Sequence, residues 1–460
     1  GSIDVDGTTN LDVVDIDGAV DMASTLQVDG AITGSSTING VGINVIETES
    51  ILVSNDGGTG TISSALRNTG FGYEVFDDLT TGDDNTSIGR RALTKVTTGS
   101  SNVAVGSGTI ELNTTGSNNT GLGYLALYAN TTASNNTAVG LSALAANTTG
   151  GSNTSLGASA LAANTTGSSN VAVGVTTLDA NTTGADNVAM GNGALGANTT
   201  ADDNVAIGHE ALTTNTTGIR NTAISSFSLD ANSTGENNTA VGYASLSANT
   251  TASNNTGLGY FALAANTTGA FNVSLGAFTL DANTTASHNT GIGYNSLSAN
   301  TTGTRNVALG SLALDANTTA NDNTAIGYEA LGANTTGDLN TAVGQGALTA
   351  NTTGASNDAF GGNSLDANTT GSFNVALGRS ALSANTTANS NTAVGHAALA
   401  ANTTGANNTA LGFAALDAAI LPSSNTSIGS ASLSVNVHSS RNTAVGSNSL
   451  ESHNLGSAGN

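Results

Sequence analysis

Apolar and polar positions recur along this chain with a period of 17 residues. An Asn returns at that spacing from Asn68 to Asn442, which gives 23 units over residues 68–458 with no insertion or deletion. We number the positions of each unit as columns 1 to 17, with column 1 at Asn68 and its equivalents. Column 4 is apolar in all 23 units, column 9 is Leu in 21, and column 5 is Gly in 22. So strict a length indicates that every unit closes on one geometry and stacks on the next.

The composition of the unit favours strands over helices. Each unit carries Gly, Asn and usually a Thr–Thr pair, all of which disfavour helix, and its apolar residues do not follow a 3.6-residue period. Two short runs, at columns 2–4 and 8–11, predict two strands per unit, with turns at the Gly of column 5 and the Asn residues of columns 1 and 12. The sequence therefore predicts an all-β fold, a parallel β-solenoid or β-roll of 23 coils. At about 4.8 Å per coil the rod would be roughly 110 Å long.

Stacking in register places each column on itself, so we expect ladders of identical residues. In one unit the predicted ladder positions are Asn136, Gly140, Leu144 and Asn147. Columns 4 and 9 supply only two large apolar residues per unit, so the core must be thin. Column 3 is always Ala, Ser or Gly, and column 8 is almost always Ala, Ser or Thr. We therefore expect one strand face to form the coil interior and the other to meet another chain. The alternative is a narrow roll that holds the small residues of both strands inside.

Residues 1–67 differ from the array. Asp-Gly pairs at residues 6–7, 17–18 and 29–30 separate alternating runs, a pattern typical of short strands joined by tight turns. We predict a fibrous β shaft over 1–67, with a Gly-rich junction near residues 56–60. The array then occupies 68–458, and 459–460 form the C-terminal end.

Composition excludes several functions. A net charge of −24 has the wrong sign for a nucleic-acid partner, and no apolar run is long enough for membrane insertion. The chain has no Cys, and its five His residues are spread over four columns. Paired acids such as Asp83–Asp84 offer too few oxygens for calcium. We therefore expect no enzyme activity, no catalytic residues, no cofactor and no metal. The Asn-Thr-Thr triplets match glycosylation sequons, but turn and ladder formation explains them better.

The aromatic residues are the candidate contact residues. Most tyrosines share column 6, which follows the Gly turn and otherwise varies. Aromatic rings there could stack on sugars, pack along a chain interface or brace the coil edge. The candidate surface-contact residues are Tyr124, Tyr243, Tyr260, Tyr294, Tyr328 and Phe413. After the first coil, column 10 carries six widely spaced Asp residues, which we interpret as charge spacing rather than a site.

The unit at residues 136–150, Asn-Thr-Ala-Val-Gly followed by Ala-Leu and Asn-Thr-Thr-Gly, resembles repeats of phage tail fibre proteins. Its first half is also similar to the Ser-Val-Ala-Ile-Gly repeat in the heads of trimeric autotransporter adhesins, which are parallel β-rolls assembled as trimers. The resemblance implies a homotrimeric structural fibre of a virion. One end would join a virion attachment protein, and the rod would contact a glycan or protein receptor on the host surface. Such fibres often carry a self-cleaving C-terminal chaperone, and the end of the sequence just past the last coil matches a cleaved product.

Two other functions remain open. A bacterial extracellular adhesin or matrix fibre, at the cell surface or secreted, would have the same architecture. The heptad stalk and membrane anchor of such adhesins are missing from these 460 residues, which favours the tail fibre and a virion location. An ice-binding β-solenoid is the third hypothesis, since columns 13 and 14 form a Thr–Thr array. Strand alternation should turn one Thr of each pair inward.

Overall fold

A computed structural model describes residues 36–38, 41–46, 50–54 and 64–451. In this part of the chain the fold is all-β, and no helix occurs. It is a parallel β-solenoid with one coil every 17 residues, as the sequence predicts. The predicted Asp-Gly turns, the junction near residues 56–60 and the end at 459–460 lie outside the described residues.

Three strands precede the array, and 23 strands of three residues form it. The first three are β1 (Ser36–Ile38), β2 (Val41–Ile46) and β3 (Ser50–Ser54). The strands of the array are β4 (Thr69–Phe71), β5 (Thr86–Ile88), β6 (Val103–Val105), β7 (Thr120–Leu122), β8 (Thr137–Val139), β9 (Thr154–Leu156), β10 (Val171–Val173), β11 (Val188–Met190), β12 (Val205–Ile207), β13 (Thr222–Ile224), β14 (Thr239–Val241), β15 (Thr256–Leu258), β16 (Val273–Leu275), β17 (Thr290–Ile292), β18 (Val307–Leu309), β19 (Thr324–Ile326), β20 (Thr341–Val343), β21 (Asp358–Phe360), β22 (Val375–Leu377), β23 (Thr392–Val394), β24 (Thr409–Leu411), β25 (Thr426–Ile428) and β26 (Thr443–Val445).

All strands of the array pair in parallel and in register, so each column lies on itself in the next coil. The sheet begins before the array, because β1, β2 and β3 pair antiparallel and β3 then pairs in parallel with β4. The hydroxyl of Ser50 accepts a hydrogen bond from the Asn68 backbone N–H at 2.9 Å. Leu52 is buried opposite Gly70. The strand β3 therefore covers the first coil and supplies the contacts that a preceding coil would make.

Only columns 2–4 form a strand, so the prediction of a second strand at columns 8–11 is wrong. That segment is a series of turns in which columns 7 and 9 have φ near +50 to +60°, as in Ser142 (53°) and Leu144 (53°). Column 17 has the same left-handed conformation, as in Asn135 (65°). Backbone that alternates in this way cannot continue a pleated ladder. The hydrophobic pattern did not reveal this, because a buried Leu fits a turn as well as a strand.

The core lies between the strand and this turn segment. Column 3 is buried in every coil, and column 8 and the Leu of column 9 pack against it. Column 4 faces outward, so the expectation that both large apolar columns fill the core is wrong: only column 9 does so. Strand alternation explains the result, because columns 2 and 4 share the face opposite to column 3. The inward small residues fit the narrow-roll alternative, while the outward apolar face leaves open the predicted chain contact.

Two internal ladders of Asn confirm the predicted amide stacking. The Asn136 side-chain N–H donates to Gly150 O at 3.0 Å, and its carbonyl oxygen accepts from the Asn153 backbone N–H at 2.9 Å. Asn147 donates to Gly150 O and to Asn130 Oδ1, both at 2.9 Å. These side chains are fully buried. The two ladders therefore satisfy backbone groups that the short strand leaves unpaired.

Candidate functional site

The four ladder residues of the unit at 136–150 are structural. Leu144 is fully buried, and its N–H donates to Ala160 O at 2.9 Å in the next coil. Gly140 has φ of 135°, and a Cβ there would lie 2.5 Å from Gly157 O. The close approach of consecutive coils thus strongly favours Gly in column 5, where Ser225 is the one exception in the array. The site candidates must come from the outward-facing columns.

The outer face of the sheet, defined by columns 2 and 4 of the 23 coils, is the first candidate surface. Column 2 is Thr or Val in all coils but one, and column 4 is always apolar. Column 4 is exposed or half-buried in every coil and nowhere buried; Leu156, Leu258 and Leu377 are 48%, 39% and 49% exposed. Monomeric proteins rarely expose contiguous apolar surface beyond a few hundred Å². A stripe that continues through all 23 coils is therefore typical of an interaction surface.

The predicted contact aromatics are all exposed and lie on the surface just after the Gly turn. Tyr243 and Tyr260 stack with ring centroids 5.6 Å apart, and Tyr294 belongs to the same group of rings. Tyr124 and Tyr328 have no ring contact in the described chain, and Phe413 stacks on His396 at 5.5 Å. The structure thus brings together three of the six predicted residues. Whether any of them contacts a ligand stays a prediction.

Column 7 contributes aromatic residues that the sequence analysis did not single out. Phe261 and Phe278 stack at 6.1 Å, and Tyr260 packs edge-on against both, at 4.6 Å and 5.4 Å. We call the resulting group the aromatic row; it extends over six consecutive coils and consists of His209, Phe227, Tyr243, Tyr260, Phe261, Phe278 and Tyr294. The sequence contains a signal that could have revealed the aromatic row, because Phe occurs in column 7 in three of these six coils.

Carboxylates of column 10 lie beside this surface. Partial burial raises the pKa of Asp230 and Asp281, with a smaller contribution at Asp230 from the nearby Glu210 charge. Asp281 lines an open cleft of about 370 Å³ with Phe278 and Tyr294. The Oδ1 atoms of both Asp residues are buried without a hydrogen-bond partner. Rings flanked by hydrogen-bond acceptors can bind a polyhydroxylated ligand along the rod.

Other chemistry is not assembled in the described chain. No group of three or more His, Cys, Asp or Glu residues is placed to hold a metal ion in the described residues. Likewise, no helix that could cross a membrane is found in that part of the protein. The sequon residues Asn147, Asn164 and Asn181 are buried with their amides hydrogen-bonded, so the folded array does not offer them for glycosylation.

The Thr–Thr array is only half exposed. In column 13 the hydroxyl donates to the next coil, as from Thr148 to Thr165 O at 2.9 Å, whereas column 14 is open to solvent. A single Thr column is therefore fully open to solvent, but strand alternation is not the reason, because these residues lie in a bend rather than in a strand.

Comparison with known proteins adds no identification. A scan against protein-family models gives no match, and a search of curated proteins also gives none.

Proposed function

We propose that this protein is a structural fibre of a bacteriophage virion, a tail fibre that assembles from three copies into an elongated rod. The observation that supports it most is the outer face of the sheet, which presents apolar side chains in every coil. A partner that covers this face must match it over 23 coils at a 17-residue period. A second copy of the chain has that length and that repeat.

The size of the face is sufficient for stable association. A standard interface buries about 800 Å² per partner, so each of the 23 coils needs to contribute only about 35 Å², less than a half-exposed Leu side chain presents. Apolar surface of this extent gives a large driving force for assembly. We propose three copies per assembly because the repeat resembles those of tail fibres and of trimeric adhesin heads.

The remaining surface suits a rod that contacts a cell. The coils have a fixed length and register, so the array can span distance without flexible joints. Few cations and a net charge of −24 reduce adhesion to anionic surfaces. The aromatic row then offers a localised contact for a surface glycan or protein.

Light scattering tests the assembly. We expect a mass near three times 44.6 kDa for the purified chain. The variant Leu258→Glu, Leu275→Glu, Leu309→Glu places charges on the outer face and should fall toward the mass of one chain, with an unchanged circular dichroism spectrum. Its matched control changes the exposed column 14 of the same coils, Thr268→Glu, Thr285→Glu, Thr319→Glu, and should keep the wild-type mass. A wild-type protein that is monomeric at micromolar concentration would contradict the proposal.

A further inference from the structure

The surface formed by columns 6 and 7 has a gap in the third coil of the array. The second coil places Arg90 and Arg91 in these columns, and the fourth places Tyr124 and Leu125. The third coil has Ser107 and Gly108 there, so one row of large side chains is missing. The resulting notch measures about 360 Å³, within the range of small-molecule sites.

A buried carboxylate forms the floor of the notch. Glu111, in column 10 of the third coil, is only 3% exposed. Its Oε1 lies 2.7 Å from an Arg91 terminal nitrogen, and Arg91 Nε lies 3.0 Å from Glu74 Oε2 in the first coil. A Cβ on Gly108 would lie 3.4 Å from Glu111 Oε2. The absent side chain of Gly108 therefore leaves this oxygen next to the opening, while Arg91 holds the carboxylate in place.

The two walls carry different chemistry. Arg90 is exposed and forms no ion pair within the described residues. Tyr124, opposite it, is 56% exposed, and Tyr128 extends that wall. The local charges of Arg91, Glu74 and Glu111 leave one negative charge, and Arg90 balances it. The notch thus combines a free guanidinium, an aromatic wall and a fixed acceptor within the space of one small ring.

We infer that this notch binds one acidic sugar unit, a pyranose that bears a carboxylate. Arg90 pairs with the ligand carboxylate through its two-pronged donor geometry. Tyr124 packs against the C–H face of the sugar ring, and Glu111 Oε2 accepts from a ring hydroxyl. This site would define the class of cell-surface ligand that the proposed fibre contacts. The biological role of the site rests on the proposed fibre function, whereas sugar binding itself does not.

Saturation-transfer NMR on the full-length protein tests the inference with two probes, methyl glucuronide and methyl glucoside. The glucuronide carries a carboxylate where the glucoside carries a hydroxymethyl group. We expect the glucuronide to bind at least tenfold more tightly. Arg90→Gln, which introduces the residue that Gln345 supplies in the same column, should remove this preference and leave the glucoside unchanged.

Filling the notch provides the second variant. Ser107→Tyr places in column 6 the residue that Tyr243 and Tyr260 carry in adjacent coils, so the array should fold. It should abolish binding of both sugars, whereas Ser311→Tyr, in the same column far along the rod, should not. Equal binding of the two sugars by the wild type, or glucuronide binding that survives Ser107→Tyr, would overturn the inference. The light-scattering experiment tests the fibre independently of the sugar site. A trimer that binds no sugar would contradict the sugar site alone, and a monomer that binds the glucuronide would contradict the trimeric fibre alone.

Discussion

At the scale of single residues, left-handed backbone decides which side chains the repeat accepts. Columns 7, 9 and 17 have φ near +55° at every position that lies within the described residues, although most of these residues are not Gly. This conformation is least tolerable for β-branched residues. Column 9 accordingly uses Leu, with Ile110 as its single β-branched member, and column 7 has only Thr176. Stacking against the neighbouring coils offsets a local cost of about 1–3 kcal/mol per residue.

Column 5 gives the sharpest test at this scale. Ser225 is its one non-Gly residue in the array, and its φ is 111°, a region that side chains rarely adopt. Ser225→Gly should stabilise the protein by about 1 kcal/mol, because the strain is removed. Differential scanning calorimetry would show a higher melting temperature. Gly242→Ala, in the next coil, is the reciprocal control and should lower it, since its Cβ would meet Gly259 O at 2.4 Å. A destabilised Ser225→Gly variant would mean that the serine makes a compensating contact.

At the scale of elements, the Asn ladders hold the coils in register. Each amide of column 1 joins its own coil to the next, as Asn136 does through Gly150 and Asn153. The three-residue strand offers few backbone pairs, so these side chains complete the connection. The ladder is therefore part of the framework that connects consecutive coils.

Truncating one rung should expose its contribution. Asn136→Ala leaves the buried Asn153 N–H unpaired and removes one of the two side-chain hydrogen bonds to Gly150 O, which should cost about 1–3 kcal/mol. Hydrogen exchange should show faster exchange in the adjoining coils at residues 119–170 and little change at the ends, because repeat arrays couple mainly to neighbours. Asn192→Ala, at an exposed column 6 position where Ala158 occurs naturally, is the control and should leave exchange unchanged. Uniformly faster exchange along the rod would contradict this local effect.

Much of the element scale could be predicted from the sequence, because stacking in register converts a repeat directly into ladders. The period, the strand at columns 2–4, the Gly turn and the Asn ladders all follow from residue identity. The second strand could not be predicted correctly, since the hydrophobic pattern does not report the sign of φ. The outward direction of the column 4 side chains could be derived only after column 3 was known to face the interior. The notch beside Glu111 was missed because it depends on what three consecutive coils place side by side, which no single unit shows.

At the scale of the whole molecule, the six Asp residues of column 10 that follow the first coil repeat one electrostatic situation along the rod. Partial burial raises the pKa of each carboxyl, with Glu329 contributing at Asp315; the residues are Asp179, Asp230, Asp281, Asp315, Asp366 and Asp417. Asp84 and Asp322 differ, because hydrogen bonds from Arg67 and Arg305 lower their pKa. Folding therefore makes the six carboxyls with a raised pKa harder to ionise than they are in the unfolded chain.

The sign of the resulting pH dependence follows from linkage. A folded-state pKa above the unfolded value stabilises the fold below the usual Asp pKa of about 3.9, and this stabilisation is lost as the pH rises through the folded-state pKa. Replacing all six residues by Asn should therefore raise the melting temperature at pH 7 by about a degree or more. At pH 3 the gain should largely disappear, because the wild-type carboxyls are then protonated. The pairs of Asp84 and Asp322 act in the opposite direction, and since both proteins retain them, their effect cancels in the comparison. Calorimetry at both pH values decides the question: an equal gain at pH 3 and pH 7 would show that shape or hydrogen bonding of Asn, rather than charge burial, stabilises the variant.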